Sequence, residues 1–218
     1  MIDPSETMSS QNGPMPTVRV WDPLVRVFHW GLVLAFATAW ISADEGQPLH
    51  ELAGYTVMVL VGFRLIWGVV GTRYARFTQF VKGPKAMFAY MRSMIRGHER
   101  RYLGHNPAGA AMILALLLTI SGTAFTGWLM EEPARMALLP EMPVIMAPAW
   151  ASDDDEAPDG AEVEGPLKEL HEVLANLTLL LAVLHVGGVV LASVRHRENL
   201  ARAMVTGDKR AAEPGDVA

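Results

Sequence analysis

The chain has 218 residues and a formal net charge of −5, and 51% of its residues are hydrophobic while only 19% are charged. Soluble proteins carry about 25% charged residues, and here the apolar residues are gathered in four long runs that contain almost no charge. Because about 20 apolar residues cross a hydrocarbon core of ~30 Å, this length suits four crossings and excludes a separate large soluble domain. We therefore predict an all-α, four-helix membrane protein that does not bind nucleic acid.

Cysteine is absent from the sequence, which restricts the chemistry available to the protein. Disulfides, thiolate metal sites, iron–sulfur clusters and the covalent attachment of c-type haem are excluded. Any haem would have to be held without covalent links. Residues 1–18 lack the cationic start and apolar run of a signal peptide, so we expect a disordered cytoplasmic tail there.

The membrane domain is predicted over residues 19–205. Asp22 followed by Pro23 is a typical helix start, with an N-cap acceptor before a proline at the first helical position. This signal predicts a first span over about residues 23–42, and a turn then leads to a second span over about 49–71. Arg64 lies within the second span, and a cation at that depth needs a partner.

A basic connection, residues 72–106, joins the second span to the third. Within it, residues 84–97 place apolar side chains on one stripe and cations elsewhere, which predicts a short helix lying in the membrane interface. A solvated loop with a chance stripe is the alternative. Asn106 followed by Pro107 repeats the helix-start signal and predicts a third span over about residues 107–130.

An outer loop is predicted over residues 131–165, which are rich in proline and acidic residues and should have little regular structure. Gly165 and Pro166 then restart the helix, and the fourth span is predicted over about residues 167–193. Residues 206–218 are expected to form a polar cytoplasmic tail.

The distribution of charge orients these spans. Fifteen of the 18 Lys and Arg residues lie on the side of the two termini, and only Arg135 and Lys168 lie on the opposite side. The positive-inside rule therefore places both termini in the cytoplasm. Because fifteen of the 23 acidic residues lie on the outer side, we expect that face to attract a basic partner protein, with residues 153–156 as the capture site. The alternative is a loop that is acidic only because it is solvated.

Four of the seven histidines lie in or at the ends of predicted spans, where histidine is rare unless it has a function. They are His29, His50, His171 and His185. His171 and His185 are fourteen residues apart, which is about 21 Å along a helix and on nearly the same face. Topology then pairs His29 with His185 at the inner level and His50 with His171 at the outer level, as bis-histidine haem ligation in a helical bundle requires.

Other roles for these histidines are compatible with the sequence. Each imidazole could bond a backbone carbonyl in helix packing, or the set could form a zinc site or a proton path. Two pairs matched in depth favour haem, and no carboxylate cage of the kind common at zinc sites adjoins them. The remaining histidines, His98, His105 and His196, lie in cytoplasmic segments and are expected to be ordinary surface residues.

Two arginines are candidate partners for haem propionates. Arg64 lies fourteen residues after His50 on the same helix face, at the depth of the inner pair. Arg26 lies one turn before His29, and the alternative for it is an ordinary cationic anchor at the membrane surface.

The chain also resembles a known family. The positions that carry the resemblance are Trp21-Asp22-Pro23, Arg26, His29-Trp30, His50, Gly54, Arg64, Trp67-Gly68, Asn106-Pro107, Gly127-Trp128, His171-Glu172 and His185. They look like the prokaryotic di-haem b-type cytochromes, which include the cytochrome b subunit of nickel–iron hydrogenases and the bacterial cytochrome b561 proteins. The resemblance covers about residues 18–205 and implies two non-covalent haems b and quinone-linked electron transfer in a bacterial inner membrane.

From this resemblance we expect a protein that carries electrons between an outer redox partner and the membrane quinone pool. The outer partner would be a periplasmic c-type cytochrome or a hydrogenase-type protein. Two other functions are compatible with the sequence. A superoxide-oxidising quinone reductase would need no protein partner, and a non-redox membrane scaffold would bind no haem.

Overall fold

The computed structural model describes residues 16–43, 47–132, 134–135 and 161–217. Long helices dominate these residues, and two short strands lie near the ends of the chain. The helices are α1 (Pro23–Ile41), α2 (Gln47–Val70), α3 (Phe77–Phe80), α4 (Pro84–Ile95), α5 (Pro107–Met130), α6 (Ala161–Arg195) and α7 (Leu200–Thr206), and the strands are β1 (Thr17–Arg19) and β2 (Asp208–Arg210). Helices α1, α2, α5 and α6 are each long and apolar enough to cross a membrane. The prediction of an all-α membrane bundle is confirmed.

Helices α1 and α5 begin at the two prolines singled out in the sequence, and each has a side-chain cap. The Asp22 carboxylate accepts a hydrogen bond from the Val25 N–H at 3.0 Å, and the Asn106 side-chain oxygen accepts one from the Gly109 N–H at 2.7 Å. Each cap satisfies an N–H that has no acceptor within its own helix.

The four long helices pack in sequence order, α1 against α2, α2 against α5 and α5 against α6. A buried cluster of Ala35, Val57, Val61 and Ile120 joins the first three of them. Helix α6 is the long helix least covered by the rest of the protein. Only 6% of its most apolar stretch is buried, whereas the buried share is 17% in α1, 28% in α2 and 22% in α5. Most of the apolar surface of α6 is therefore available to lipid or to a bound apolar group.

The start of the fourth span differs from the prediction. Helix α6 begins at Ala161, before the predicted start at 167, and Pro166 lies inside it. Pro166 is the sixth residue of α6, so it removes one hydrogen bond of the helix, the one that an N–H at this position would have made to the Glu162 carbonyl. Residues 136–160, which include the predicted capture site at 153–156, lie outside the described residues.

Each of the two segments predicted as tails contributes to a strand: Thr17 and Val18 belong to β1, and residues 208–210 form β2, whereas residues 1–15 lie outside the described residues. Strand β1 pairs antiparallel with β2, with Thr17 opposite Arg210 and Arg19 opposite Asp208. Lys209 is only 5% exposed, and its Nζ donates to the carbonyls of Tyr102 and Leu103. The prediction failed because the polar groups of this segment find partners in the protein. We call β1, α7, β2 and residues 211–217 the terminal cap.

A buried cluster of ions holds the terminal cap against the basic connection. Arg101 donates to Glu198 at 2.8 Å and to Asp216 at 2.5 Å, and Lys209 lies 3.5 Å from Glu198. Burial alone would raise the pKa of Glu198, but the hydrogen bond from Arg101 and the charge of Lys209 hold this pKa below its usual value. Two cations and two carboxylates thus balance one another away from water.

The short helix predicted within the basic connection is α4. Its apolar side chains Phe88 and Ile95 expose 66% and 79% of their surface, while Tyr90 is buried against the protein.

Candidate functional site

The outer pair of histidines is brought together by α2 and α6. His50 lies in the first turn of α2, and the centroid of its ring is 6.2 Å from that of His171 on α6. A metal ion lies about 2 Å from an imidazole nitrogen, so two rings on opposite sides of one ion have centroids about 6 Å apart. The spacing of His50 and His171 fits one ion between the two rings.

Hydrogen bonds orient both rings of this pair. His50 Nδ1 lies 2.9 Å from the carbonyl oxygen of Ala39, and His171 Nδ1 lies 3.0 Å from Thr126 Oγ1. The Thr126 hydroxyl already donates to the Gly122 carbonyl at 2.9 Å, so its oxygen accepts from His171. Both Nδ1 atoms therefore carry the proton, which leaves each Nε2 lone pair free to ligate a metal.

Gly127 makes room for the His171 ring. A Cβ at position 127 would lie 3.1 Å from His171 Cε1 and 3.5 Å from Nδ1. The first of these distances is tighter than an ordinary van der Waals contact, so a larger residue would push the ring away. The close approach of α5 to α6 at this position is therefore an approach to the imidazole itself.

The inner pair is placed on α1 and α6. His29 lies in the second turn of α1, and His185 lies in the second half of α6. Within the described ranges their rings do not make the close ring contact seen for His50 and His171. His29 Nδ1 is buried and lacks a hydrogen-bond partner in the described part of the chain.

The donor set suits a haem better than a bare metal ion. Among the residues that the structure describes, no three His, Cys, Asp or Glu side chains gather closely enough to hold a metal ion. A haem needs only a pair of axial ligands, because its porphyrin supplies the other four. A family model described as prokaryotic cytochrome b561 matches residues 20–207. The chain belongs to the prokaryotic cytochrome b561 family.

Membership of the cytochrome b561 family establishes the class of protein. It is a bacterial multi-pass membrane protein of a family that binds haem b and transfers electrons across the membrane. No curated protein and no solved structure matches the chain.

In this member of the cytochrome b561 family, Arg64 is buried, with 4% of its surface exposed. Its Nη2 donates to the Ala75 carbonyl at 3.1 Å, and its guanidinium carbon lies 4.7 Å from the centroid of the Phe77 ring. Arg64 Nη1 is buried without a hydrogen-bond partner among the described residues. Because an unpaired buried donor is costly, this atom marks a place where a bound acceptor would fit.

Arg26 is bound to the terminal cap. Its Nη1 donates to the Val205 carbonyl at 2.5 Å, while its Nε is buried and lacks an acceptor within the residues described. Part of this guanidinium is therefore committed to joining α1 to α7, and one N–H is left for a bound group.

The prediction that His105 is an ordinary surface residue is wrong. Its ring centroid lies 4.6 Å from that of Trp21 and 4.6 Å from that of Phe80, and its Nδ1 is buried without a described partner. Burial, and after it the charges of Arg64, Lys209 and His185, together lower the pKa of His105 to about 3. The sequence feature that could have indicated this burial is the position of His105 directly before Asn106, the cap residue of α5. By their overall exposure His105 and His196 are both half-buried, whereas His98 is exposed.

Proposed function

We propose that the protein carries electrons across the inner membrane through two b haems, between an outer redox partner and the quinone pool. His29 and His185 would be the axial ligands of the inner haem, and His50 and His171 those of the outer haem. The observation that carries the proposal is the outer pair, whose rings are 6.2 Å apart and whose Nδ1 atoms are both engaged elsewhere. When bound, the haems supply the one-electron chemistry.

The residues of the chain have three tasks in this proposal. The hydrogen bonds from His50 and His171 hold each imidazole in the tautomer that ligates iron. The long apolar helices keep water from the haems, which influences their potentials. Arg64 and Arg26 present buried donors to the propionates at the inner level.

Haem content tests the ligand assignment. The purified protein should contain two haems b per chain, with a b-type reduced-minus-oxidised spectrum. His185→Ala should lose the inner haem and His171→Ala the outer one, each retaining the other, because the two ligand pairs share no residue. His98→Ala, in an exposed cytoplasmic position, is the matched control and should retain both haems. A ratio of one haem in the unmodified protein, or two in either ligand variant, contradicts the assignment.

We also propose that both termini, the terminal cap and α4 face the cytoplasm, with α4 in the membrane interface. Fifteen Lys and Arg residues on that side against two on the other support this orientation. A reporter enzyme that works only in the cytoplasm should be active when it is fused to the carboxyl terminus, and a reporter that works only in the periplasm should be inactive there. Activity of a periplasmic reporter at the same position would reverse the orientation.

For the outer partner we propose a small basic c-type cytochrome. Fifteen acidic residues lie on that side against two cations, and such a surface attracts a basic protein over a range of ~8 Å at physiological salt. Stopped-flow electron transfer between the two proteins should slow as salt is added. Neutralising residues 153–156 should weaken the salt dependence, whereas Glu213→Gln on the inner side should not. A rate that does not change with salt would contradict electrostatic docking of this partner, and only the proposed electron transfer across the membrane would stand.

A further inference from the structure

The inner end of the bundle contains buried hydrogen-bonding nitrogens that the described chain does not satisfy. Arg64 Nη1 and His105 Nδ1 are both buried without a partner among the described residues. They come from different segments, α2 and the residue before the α5 cap. Buried polar groups in proteins are nearly always paired, so unpaired nitrogens at one end of a bundle indicate a bound group that supplies acceptors.

Aromatic rings connect these two residues. The Arg64 guanidinium lies over Phe77, the Phe77 ring is 5.7 Å from that of Phe80, and Phe80 is 4.6 Å from His105. Trp21 contacts the His105 ring at the same distance of 4.6 Å. The histidine is therefore held in place by two aromatic neighbours, and its ring cannot easily turn towards water.

His105 also lies near the start of α1, the helix that carries the proposed inner ligand His29. Its aromatic neighbour Trp21 stands two positions before the first residue of that helix. Neutral imidazole can carry its proton on Nδ1 and donate it to an acceptor. A carboxylate is the acceptor that would satisfy an imidazole N–H and a guanidinium N–H together.

We infer that His105 donates a hydrogen bond from Nδ1 to a propionate of the inner haem, beside a second donor, Arg64 Nη1. This inference rests on the proposed function, because it requires a haem at the inner level. His105 would then bind the haem through a propionate and would not be a ligand of the iron. It partly neutralises the propionate charge, and this neutralisation raises the haem potential, since a more negative propionate favours ferric iron.

The test compares His105→Phe with His105→Asn in the haem-loaded protein. Phenylalanine keeps an aromatic ring against Trp21 and Phe80 but cannot donate. Asparagine places an amide N–H near the position of the lost Nδ1 and can donate. His98→Phe, at an exposed position in the same connection, is the matched control. Haem content and the two midpoint potentials are measured by spectroelectrochemical titration, with the inner haem identified as the component that disappears in His185→Ala.

We expect His105→Phe to retain two haems and to lower the potential of the inner haem alone. His105→Asn should restore that potential at least in part, and His98→Phe should leave both potentials unchanged. If His105→Phe fails to retain the inner haem, the test depends on His105→Asn alone. The inference is then supported if His105→Asn retains the inner haem at nearly the potential it has in the unmodified protein.

Three outcomes overturn the inference. Unchanged potentials in His105→Phe would show that the histidine does not reach a propionate. If the potentials are unchanged and the reaction with quinone is weaker, the donor is assigned to a quinone carbonyl instead. Equal shifts in His105→Phe and His105→Asn would show an effect of packing alone. Absence of haem from the unmodified protein would overturn the proposed function as well, whereas the first two outcomes leave it standing.

Discussion

The Asp22 carboxylate accepts a hydrogen bond from the Trp67 indole Nε1 at 3.3 Å, although the two residues are 45 positions apart in the chain. The same carboxylate caps α1 through the Val25 N–H and accepts from the Thr72 hydroxyl at 2.5 Å. One side chain thus starts the first membrane helix and fastens it to the end of the second. This role accounts for the aspartate of the Trp-Asp-Pro motif without any part in electron transfer.

Replacing Asp22 should therefore lower stability more than it changes the haems. Asp22→Ala should cost about 1–2 kcal/mol through the lost cap, and Trp67→Phe, which removes one donor and keeps the ring, about 0.5–1.5 kcal/mol. Thermal unfolding in detergent, followed by the haem absorbance, measures both. An unchanged melting temperature in Asp22→Ala would refute the anchoring role.

The contribution of Asp22 should also depend on pH. Burial raises the pKa of this carboxyl, but hydrogen bonds from Thr72, Val25 and Trp67 outweigh burial and hold the pKa below its ordinary value of 3.8. A carboxyl with a lowered pKa stabilises the fold above its unfolded pKa, and this stabilisation is lost as the pH falls through the folded value. The difference in stability between wild type and Asp22→Asn should therefore shrink below about pH 4.

Gly127→Ala should damage the outer haem site selectively. The added methyl group would press on His171 Cε1 from 3.1 Å and turn the ring away from His50. We expect the haem-to-protein ratio to fall from two towards one, with the outer component lost. Gly165→Ala is the matched control, because a Cβ there meets nothing within 4 Å. Equal haem content in the two variants would show that Gly127 is not needed for haem binding at the outer site.

Thr126→Val should raise the potential of the outer haem. The threonine oxygen accepts from His171 Nδ1, which makes the imidazole more basic and favours ferric iron. Valine has the same shape and removes the acceptor. Thr123→Val is the control, since its hydroxyl bonds the Thr119 carbonyl. A lowered potential, or the same shift in both variants, would argue against the tautomer assigned to His171.

Arg101→Leu should release the terminal cap. Removing one partner of a buried ion pair costs about 3–5 kcal/mol, and here it leaves the carboxylates of Glu198 and Asp216 without their main donor. Hydrogen exchange should rise in residues 200–217 while the membrane helices stay protected. Arg96→Leu, at an exposed position of the same connection, is the control and should leave exchange unchanged.

Acid should have the same effect on the terminal cap as loss of Arg101. The pKa of Glu198 is held below its ordinary 4.5, so its stabilising effect is complete above that value and disappears as the pH falls through the folded pKa. Exchange in residues 200–217 should therefore rise in the wild type only below about pH 4.5. Loss of protection that begins above about pH 4.5 would contradict this account of the ion cluster.

The parts of the structure that could be predicted from the sequence are those set by local chemistry or by depth in the membrane. The starts of α1 and α5 depend on caps that reach only three residues ahead, at Asp22 and Asn106. The approach of His50 to His171 follows from helix topology and level. For His29 and His185 the same reasoning remains a prediction.

The parts that could not be predicted depend on distant contacts between polar residues. Lys209 bonds carbonyls more than 100 positions earlier, and His105 lies against Trp21 and Phe80 from other segments. A polar sequence suggests exposure to water, and it does not reveal which polar groups find partners in the folded protein. The same difficulty applies to the polar tail predicted over residues 206–218, whose described residues belong to the terminal cap.

The pairing of β1 with β2 joins residues 17–19 to residues 208–210, and so it cannot form until residues 208–210 have been synthesised. Helix α6, with His171 and His185, also emerges from the ribosome after the other three long helices. Both proposed ligand pairs are therefore incomplete until the fourth helix has been made. A nascent chain that has reached residue 195 has all four histidines, while the strand that pairs with β1 is still to be made.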